Sequence, residues 1–174
     1  ELSRVDAVIV SDYAKGLCTE AIARAVLDGA REHGVMTAVD AKPRNARLFR
    51  GASLMSPNLK EACAFVGIED SPQRVSETDI AEKLTKAYET DAYITLGERG
   101  MQVHCRNGQF SGRLPQAYVR EVSDVAGAGD AAIATLAVAL ASGATPAEAA
   151  SLANASCAVV VGKVGAAGAT PDEV

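Results

Sequence analysis

The chain has 174 residues, 48% of them hydrophobic and 22% charged, which fits one globular domain (1–174) with a single sizeable core. A net charge of −5 without any basic patch interleaved with aromatics argues against a nucleic-acid partner. The uncharged run 131–147 is too short and too rich in alanine to span a membrane, and Glu-Leu-Ser-Arg at the start is no signal peptide, so a cytoplasmic protein is expected.

The elements alternate. Val5–Val10 ends in Ser11-Asp12 and reads as a central parallel strand, buried on both faces. Thr19–His33 is an amphipathic helix closed by Gly34. Val35–Asp40 and Ser53–Ser56 are the next two strands, and Pro57-Asn58 opens a short helix ending near Gly67. A loop over Pro72–Val75 leads to a charged amphipathic helix, Ser76–Thr90. Ala92–Leu96 is a further buried strand, and Met101–Cys105 with Gln109–Leu114 forms a hairpin across Asn107-Gly108. Two alanine-rich helices follow, Gly129–Ser142 and Pro146–Lys163, the second with Thr145 and Glu148 as a capping box. The pattern is an α/β fold, mainly parallel with an antiparallel edge. Ligands in such folds sit beyond the carboxyl ends of the strands, where Ser11-Asp12, Asp40-Ala41-Lys42, Ser56-Pro57-Asn58 and Thr95-Leu96-Gly97 converge.

The most informative stretch is Asp124-Val-Ala-Gly-Ala-Gly-Asp130, followed at once by an apolar helix. Glycines let backbone approach a ligand, and the helix start offers N–H groups and a partial positive charge to an oxyanion. Asp130 stands in the first turn, placed to take a proton from an attacking hydroxyl, although any helix favours an acid there. Gly127, Gly129 and Ala132 also fit a dinucleotide fingerprint, but Tyr118–Asp124 is too polar for the buried strand that reading requires. No Gly-x-x-x-x-Gly-Lys-Ser/Thr occurs, which excludes a P-loop enzyme. Asn58 and Glu61 are either a helix cap or two oxygen ligands for Mg²⁺. The loop Ser11-Asp12-Tyr13-Ala14-Lys15-Gly16 brings together a carboxylate, a phenol and an ammonium. Asp12 and Lys15 are candidate substrate contacts there, set against a plain polar turn. Asp40 and Lys42 are a surface pair, or Lys42 meets phosphate as a point charge. Thr95, Gly97 and Gly100 mark a simple turn or a nucleotide contact. Cys18, Cys63, Cys105 and Cys157 have no paired spacing and read as reduced residues; His33 and His104 have no metal-ligand spacing.

Together these segments resemble the ribokinase-like (PfkB) family of carbohydrate kinases. Asp124–Asp130 is similar to the family's second signature, and Asn58-Leu-Lys-Glu61 and Thr95-Leu-Gly-Glu-Arg-Gly100 occur in the family's order. Ser11–Gly16, Asp40-Ala-Lys42, Met55–Glu61 and Ala153–Gly165 resemble the branch that phosphorylates D-glycero-β-D-manno-heptose 7-phosphate at O1. That branch makes ADP-heptose precursors of the lipopolysaccharide core, and its kinase is often one half of a bifunctional kinase–adenylyltransferase. The resemblance implies a three-layer α/β/α fold, ATP and Mg²⁺, K⁺ in several members, a sugar phosphate acceptor and a homodimer. It implies Asp130 as general base and an anion hole from the N–H groups of Gly127, Ala128 and Gly129. Thr95, Gly97 and Gly100 would line the ATP phosphates and ribose, with Asn154 by the adenine and Lys42 on a phosphate. Asn58 and Glu61 would organise Mg²⁺ through water. Asp124, with backbone oxygens near Ala126 and Gly165, would match a monovalent-cation site. The family usually has threonine where Ala126 stands. The sugar-binding glycines and lid strands have no counterpart here, so the chain is expected to hold only the C-terminal, nucleotide-binding half. A non-catalytic nucleotide-binding or oligomerisation fragment is the competing reading.

Overall fold

The computed structural model describes residues 1–68, 75–117, 124–165 and 167–174. Six strands form one sheet in the order in which they occur: β1 (Ala7–Ser11), β2 (Met36–Asp40), β3 (Leu54–Met55), β4 (Asp91–Thr95), β5 (Met101–His104) and β6 (Ser111–Leu114). The first four are parallel; β4–β5 and β5–β6 are antiparallel. Helices α1 (Glu20–His33), α2 (Leu59–Phe65) and α3 (Glu77–Tyr88) cover one face, and α4 (Ala128–Ala141) and α5 (Pro146–Val161) cover the other. Crossovers between successive parallel strands share one hand, so a sheet laid down in sequence order receives its first helices all on one side. The helices after the hairpin fill the opposite side, completing the three-layer fold.

Strand alternation divides the core in two. Val39, Met55, Ala92 and Ile94 face α1–α3, whereas Ala38, Leu54, Tyr93, Met101 and Val103 face α4 and α5. On that second face the small side chains of Ala132, Ala139, Ala149, Ala150 and Ala153 are buried and bring both helices close to each other and to the sheet.

Local chemistry sets the boundaries. Thr19 caps α1 and Gly34 ends it in the left-handed conformation (φ 67°). Ser76 caps α3, which stops at Tyr88 because Glu89 turns left-handed (φ 53°). The hairpin turns at Asn107-Gly108, with Gly108 at φ 75°. β3 is shorter than the expected Ser53–Ser56 because the Thr37 and Ser53 side chains bond each other's backbone N–H groups (2.9 and 3.0 Å) and replace part of the ladder.

β1 departs from the expected central strand. It begins at Ala7, after a 3₁₀ turn over Leu2–Arg4, and Val5 lies outside it. It pairs with β2 alone among the described residues, and Ile9 is 44% exposed. An apolar run records the tendency to be buried; what buries it depends on a neighbour. The expected loop over Pro72–Val75 and the segment Tyr118–Asp124 lie mostly outside the described residues.

Candidate active site

The carboxyl ends of β1–β4 meet the N-terminus of α4 at one edge of the sheet. Gly127 (φ 81°) is the N-cap of α4 and gives it no side-chain cap; the Ala128 N–H donates to Val125 O (3.4 Å), and no side chain caps the N–H groups that follow it in the first turn. A Cβ on Gly129 would meet nothing within 4 Å, so open space borders the helix start. Asp130 is exposed in that turn, and the Tyr13 hydroxyl donates to its Oδ2 at 3.4 Å.

Asp12 is buried under this edge. Its carboxylate accepts from the Ala14 N–H (2.8 Å), the Lys42 N–H (3.3 Å) and Asn45 Nδ2 (3.0 Å). Asp12 therefore ties the loop after β1 to the turn after β2, while Lys15 in the same loop is exposed. The expected surface pairing of Lys42 with Asp40 gives way to another: Lys42 Nζ donates to Glu61 Oε1 at 2.7 Å. That hydrogen bond holds the Lys42 ammonium above its usual range, against partial desolvation. Glu61 Oε2 in turn accepts from the Asn58 N–H (3.1 Å), and Asn58 Oδ1 accepts from the Glu61 N–H (2.9 Å). The capping box is thus present, and both Glu61 oxygens are engaged. As they stand, these residues suit an outer role toward a cation, through water, rather than direct ligation.

Two further groups at this edge were read from sequence only as polar strand ends, Asp40 also as a partner of Lys42. Burial pushes the Asp40 carboxyl above its usual range, with Glu61, Asp130 and Asp12 adding to the rise and Lys42 opposing it. Ser56, 8% exposed, has a buried hydroxyl with no hydrogen-bond partner. The signal for both was strand register. Val39 pairs with Met55, so Asp40 and Ser56 come next on adjacent strands and share the face toward α4.

Beside the cluster lies a cavity of about 510 Å³, the size of a small-ligand site. Thr95, Gly97, Gly100, Ala128, Gly129 and Asn154 all border it, so residues expected to contact the nucleotide, between positions 95 and 154, come together. Gly97 (φ 61°) has no atom within 4 Å of a would-be Cβ and faces open space. Gly100 (φ 89°) is different: a Cβ there would collide with Leu114 O and the Gln116 N–H, so the position also serves the fold. Asn154 Nδ2 donates to Leu114 O (3.1 Å) and Pro115 O (2.9 Å), which pins the end of β6 to α5. Gln116 and Cys157 were not foreseen on this wall. Cys157 follows Asn154 by three residues, hence on the same helix face. Its thiol donates to Ala128 O at 3.2 Å, and burial pushes its pKa up to about 11. The glycine-lined opening and the uncapped helix start fit a nucleotide polyphosphate, whereas Lys42, expected on a phosphate, does not border the cavity and is held by Glu61. A larger groove of about 1210 Å³ between α4, α5 and the C-terminal residues contains none of the expected contacts.

Asp124 uses Oδ1 to accept from the Ala126 N–H (2.9 Å), and its own N–H donates to Val161 O (3.2 Å). This turn fixes the approach to α4. Among the described residues no group of three or more His, Cys, Asp or Glu is arranged to hold a metal ion, and no helix is long and apolar enough to cross a membrane. All four cysteines are free thiols.

The family described as pfkB family carbohydrate kinase matches residues 1–173. The bifunctional protein HldE of Caulobacter vibrioides is 43% identical over 165 residues, covering 94% of this chain and 34% of that protein. HldE of Wolinella succinogenes is 42% identical over 175 residues, covering 100% of this chain and 36% of its own length. The chain thus spans about a third of the curated relatives it matches. Among solved structures, phosphofructokinase-2 from Escherichia coli in complex with potassium superposes with a TM-score of 0.81 at 17% identity, over 96% of this chain and 54% of that one. Ribokinase from Arabidopsis thaliana, complexed with ribose and ATP, gives 0.79 at 20% identity, over 95% and 52%. At these identities the superpositions establish the fold, which is ribokinase-like.

Proposed function

Because this chain belongs to the pfkB family of carbohydrate kinases, we propose that it provides the nucleotide-binding and catalytic part of an ATP-dependent sugar kinase. The acceptor we infer is D-glycero-β-D-manno-heptose 7-phosphate, phosphorylated at O1. Its support is the identity of about 40% to HldE proteins. The observation that carries the reading is the junction of the α4 N-terminus with the cavity bordered by Thr95, Gly97, Gly100 and Asn154.

In this reading ATP occupies that cavity, with its base toward Asn154 and its phosphates toward Gly97 and the start of α4. The N–H groups of Gly127, Ala128 and Gly129 stabilise charge on the transferring phosphoryl group. Lys42 neutralises a phosphate oxygen. Asp130 accepts the proton of the sugar hydroxyl as that oxygen bonds to the γ-phosphorus and the bond to the departing ADP oxygen breaks. Mg²⁺, when bound, supplies further charge neutralisation, and Asn58 and Glu61 would orient its water shell. Asp124, with backbone oxygens near Ala126 and Gly165, would serve a monovalent cation such as K⁺. Asp12 holds the acceptor-side loop in place, and exposed Lys15 meets the sugar's phosphate. We infer a homodimer acting in the cytoplasm.

The test is Asp130→Asn in the full-length protein, assayed with ATP and the heptose phosphate beside ribose and fructose 6-phosphate. ATP binding should persist while turnover falls on the order of 10²–10⁴-fold. Near-normal turnover would remove Asp130 as the base. Faster turnover of another sugar would replace the proposed acceptor.

A further inference from the structure

Tyr13 is an exposed aromatic residue in an unusually well-anchored loop. Its side chain is 61% exposed, so burial does not hold it. The residues around it are fixed nonetheless. Asp12 is 3% exposed and accepts three hydrogen bonds, one from the Ala14 N–H at 2.8 Å. Ala14 has a left-handed backbone (φ 54°), a conformation unfavourable for a non-glycine residue. Strain of this kind persists only where the surroundings over-determine it. Its consequence is that the Tyr13 hydroxyl reaches Asp130 Oδ2, 3.4 Å away and 117 residues on in sequence. A surface hydrogen bond of that length adds little to stability, so stability does not explain the arrangement. Hydrogen bonds of catalytic groups are commonly long in a ligand-free site and tighten in the complex.

We propose that Tyr13 is a positioning residue for the transfer step: its phenol donates to Oδ2 of Asp130 and thereby turns Oδ1 toward the acceptor hydroxyl. A carboxylate rotates freely about its last torsion, and an exposed one such as Asp130 has no packing to stop it. One donor on one oxygen fixes the plane and leaves the other oxygen open to receive the acceptor's proton. The loop anchored by Asp12 also carries Lys15, so the group that aims the base and the group that meets the acceptor's phosphate move as one unit.

The inference rests on Asp130 being the base, and the experiment separates the two. In the full-length protein, Tyr13→Phe, Asp130→Asn and the double variant are compared with the parent, using ATP and D-glycero-β-D-manno-heptose 7-phosphate. Tyr13→Phe should lower kcat roughly tenfold, the effect of one hydrogen bond lost from the transition state. KM for both substrates should stay within about twofold and Tm should not change, because the ring is kept and the bond is peripheral to stability. In the Asp130→Asn background the Phe substitution should add nothing, since the two act as one unit. Parent-like kcat in Tyr13→Phe, a kcat loss matched by a fall in Tm, or an equal further loss in the double variant would overturn the role of Tyr13 while Asp130 stands. Full turnover in Asp130→Asn would overturn both.

Discussion

Glu61 shows how one residue serves two ends. Its Oε2 closes a capping box with Asn58 and its Oε1 receives Lys42. Glutamine also serves at the third position of a capping box, so Glu61→Gln removes the charge and keeps the cap. We expect Tm to move by less than the equivalent of about 1 kcal/mol, the usual worth of a cap. The Mg²⁺ concentration for half-maximal rate should rise severalfold. Glu61→Ala should lose stability as well. Unchanged Mg²⁺ dependence in the glutamine variant would show that the carboxylate serves only the helix start and Lys42. Reading by sequence succeeds at Asn58–Glu61 and at Thr145–Glu148 because a cap is made within three residues. It fails at Tyr13–Asp130 and at Lys42–Glu61, whose partners are set by the crossing of distant elements.

The two glycines of the β4–β5 turn separate fold from function. Both have positive φ, yet their surroundings differ. At Gly100 the backbone of Leu114–Gln116 occupies the place of a side chain, because the end of β6 runs against the turn. Gly100→Ala combines backbone strain with a steric clash and should cost on the order of 3 kcal/mol, with nucleotide binding lost along with the fold. Gly97→Ala meets empty space and should cost only about 1 kcal/mol. Its methyl group points into open space at the cavity's border, so weaker ATP binding should be its main effect. Thermal denaturation and calorimetric titration of both variants test this; equal stability losses would mean that Gly97 is also a structural position. The helices and hairpin were legible to within a few residues because caps, left-handed glycines and Asn107-Gly108 act locally. The edge position of β1 among the described residues was not, since Val8, Ile9 and Val10 read alike in a central and in an edge strand.

On the proposed reading, the described residues assemble more of the nucleotide side than of the acceptor side. Cavity, helix start and Lys42–Glu61 pair are assembled, and their residues lie between positions 42 and 161. Around Asp130, by contrast, Tyr13 and Lys15 stand exposed, and among the described residues no element covers them. Phosphoryl transfer depends on holding the acceptor in line and on keeping water out. Residues 1–174 expressed alone should therefore bind ATP–Mg²⁺ weakly and fail to phosphorylate the heptose phosphate at a useful rate. The same polypeptide should self-associate. Among the described residues β1 pairs on one side only, with Ile9 and Val5 each 44% exposed beside it, and a bare apolar edge is a template for another strand. Calorimetric titration with ATP, a coupled assay of ADP release and size-exclusion chromatography over a range of concentrations test the three parts separately. A lysine substituted for Ile9 should shift the species toward monomer, because a charge on an edge strand opposes strand addition. Robust sugar-dependent turnover by residues 1–174 would show that the acceptor needs no more cover than this chain provides. A concentration-independent monomer would show that β1 is protected in solution.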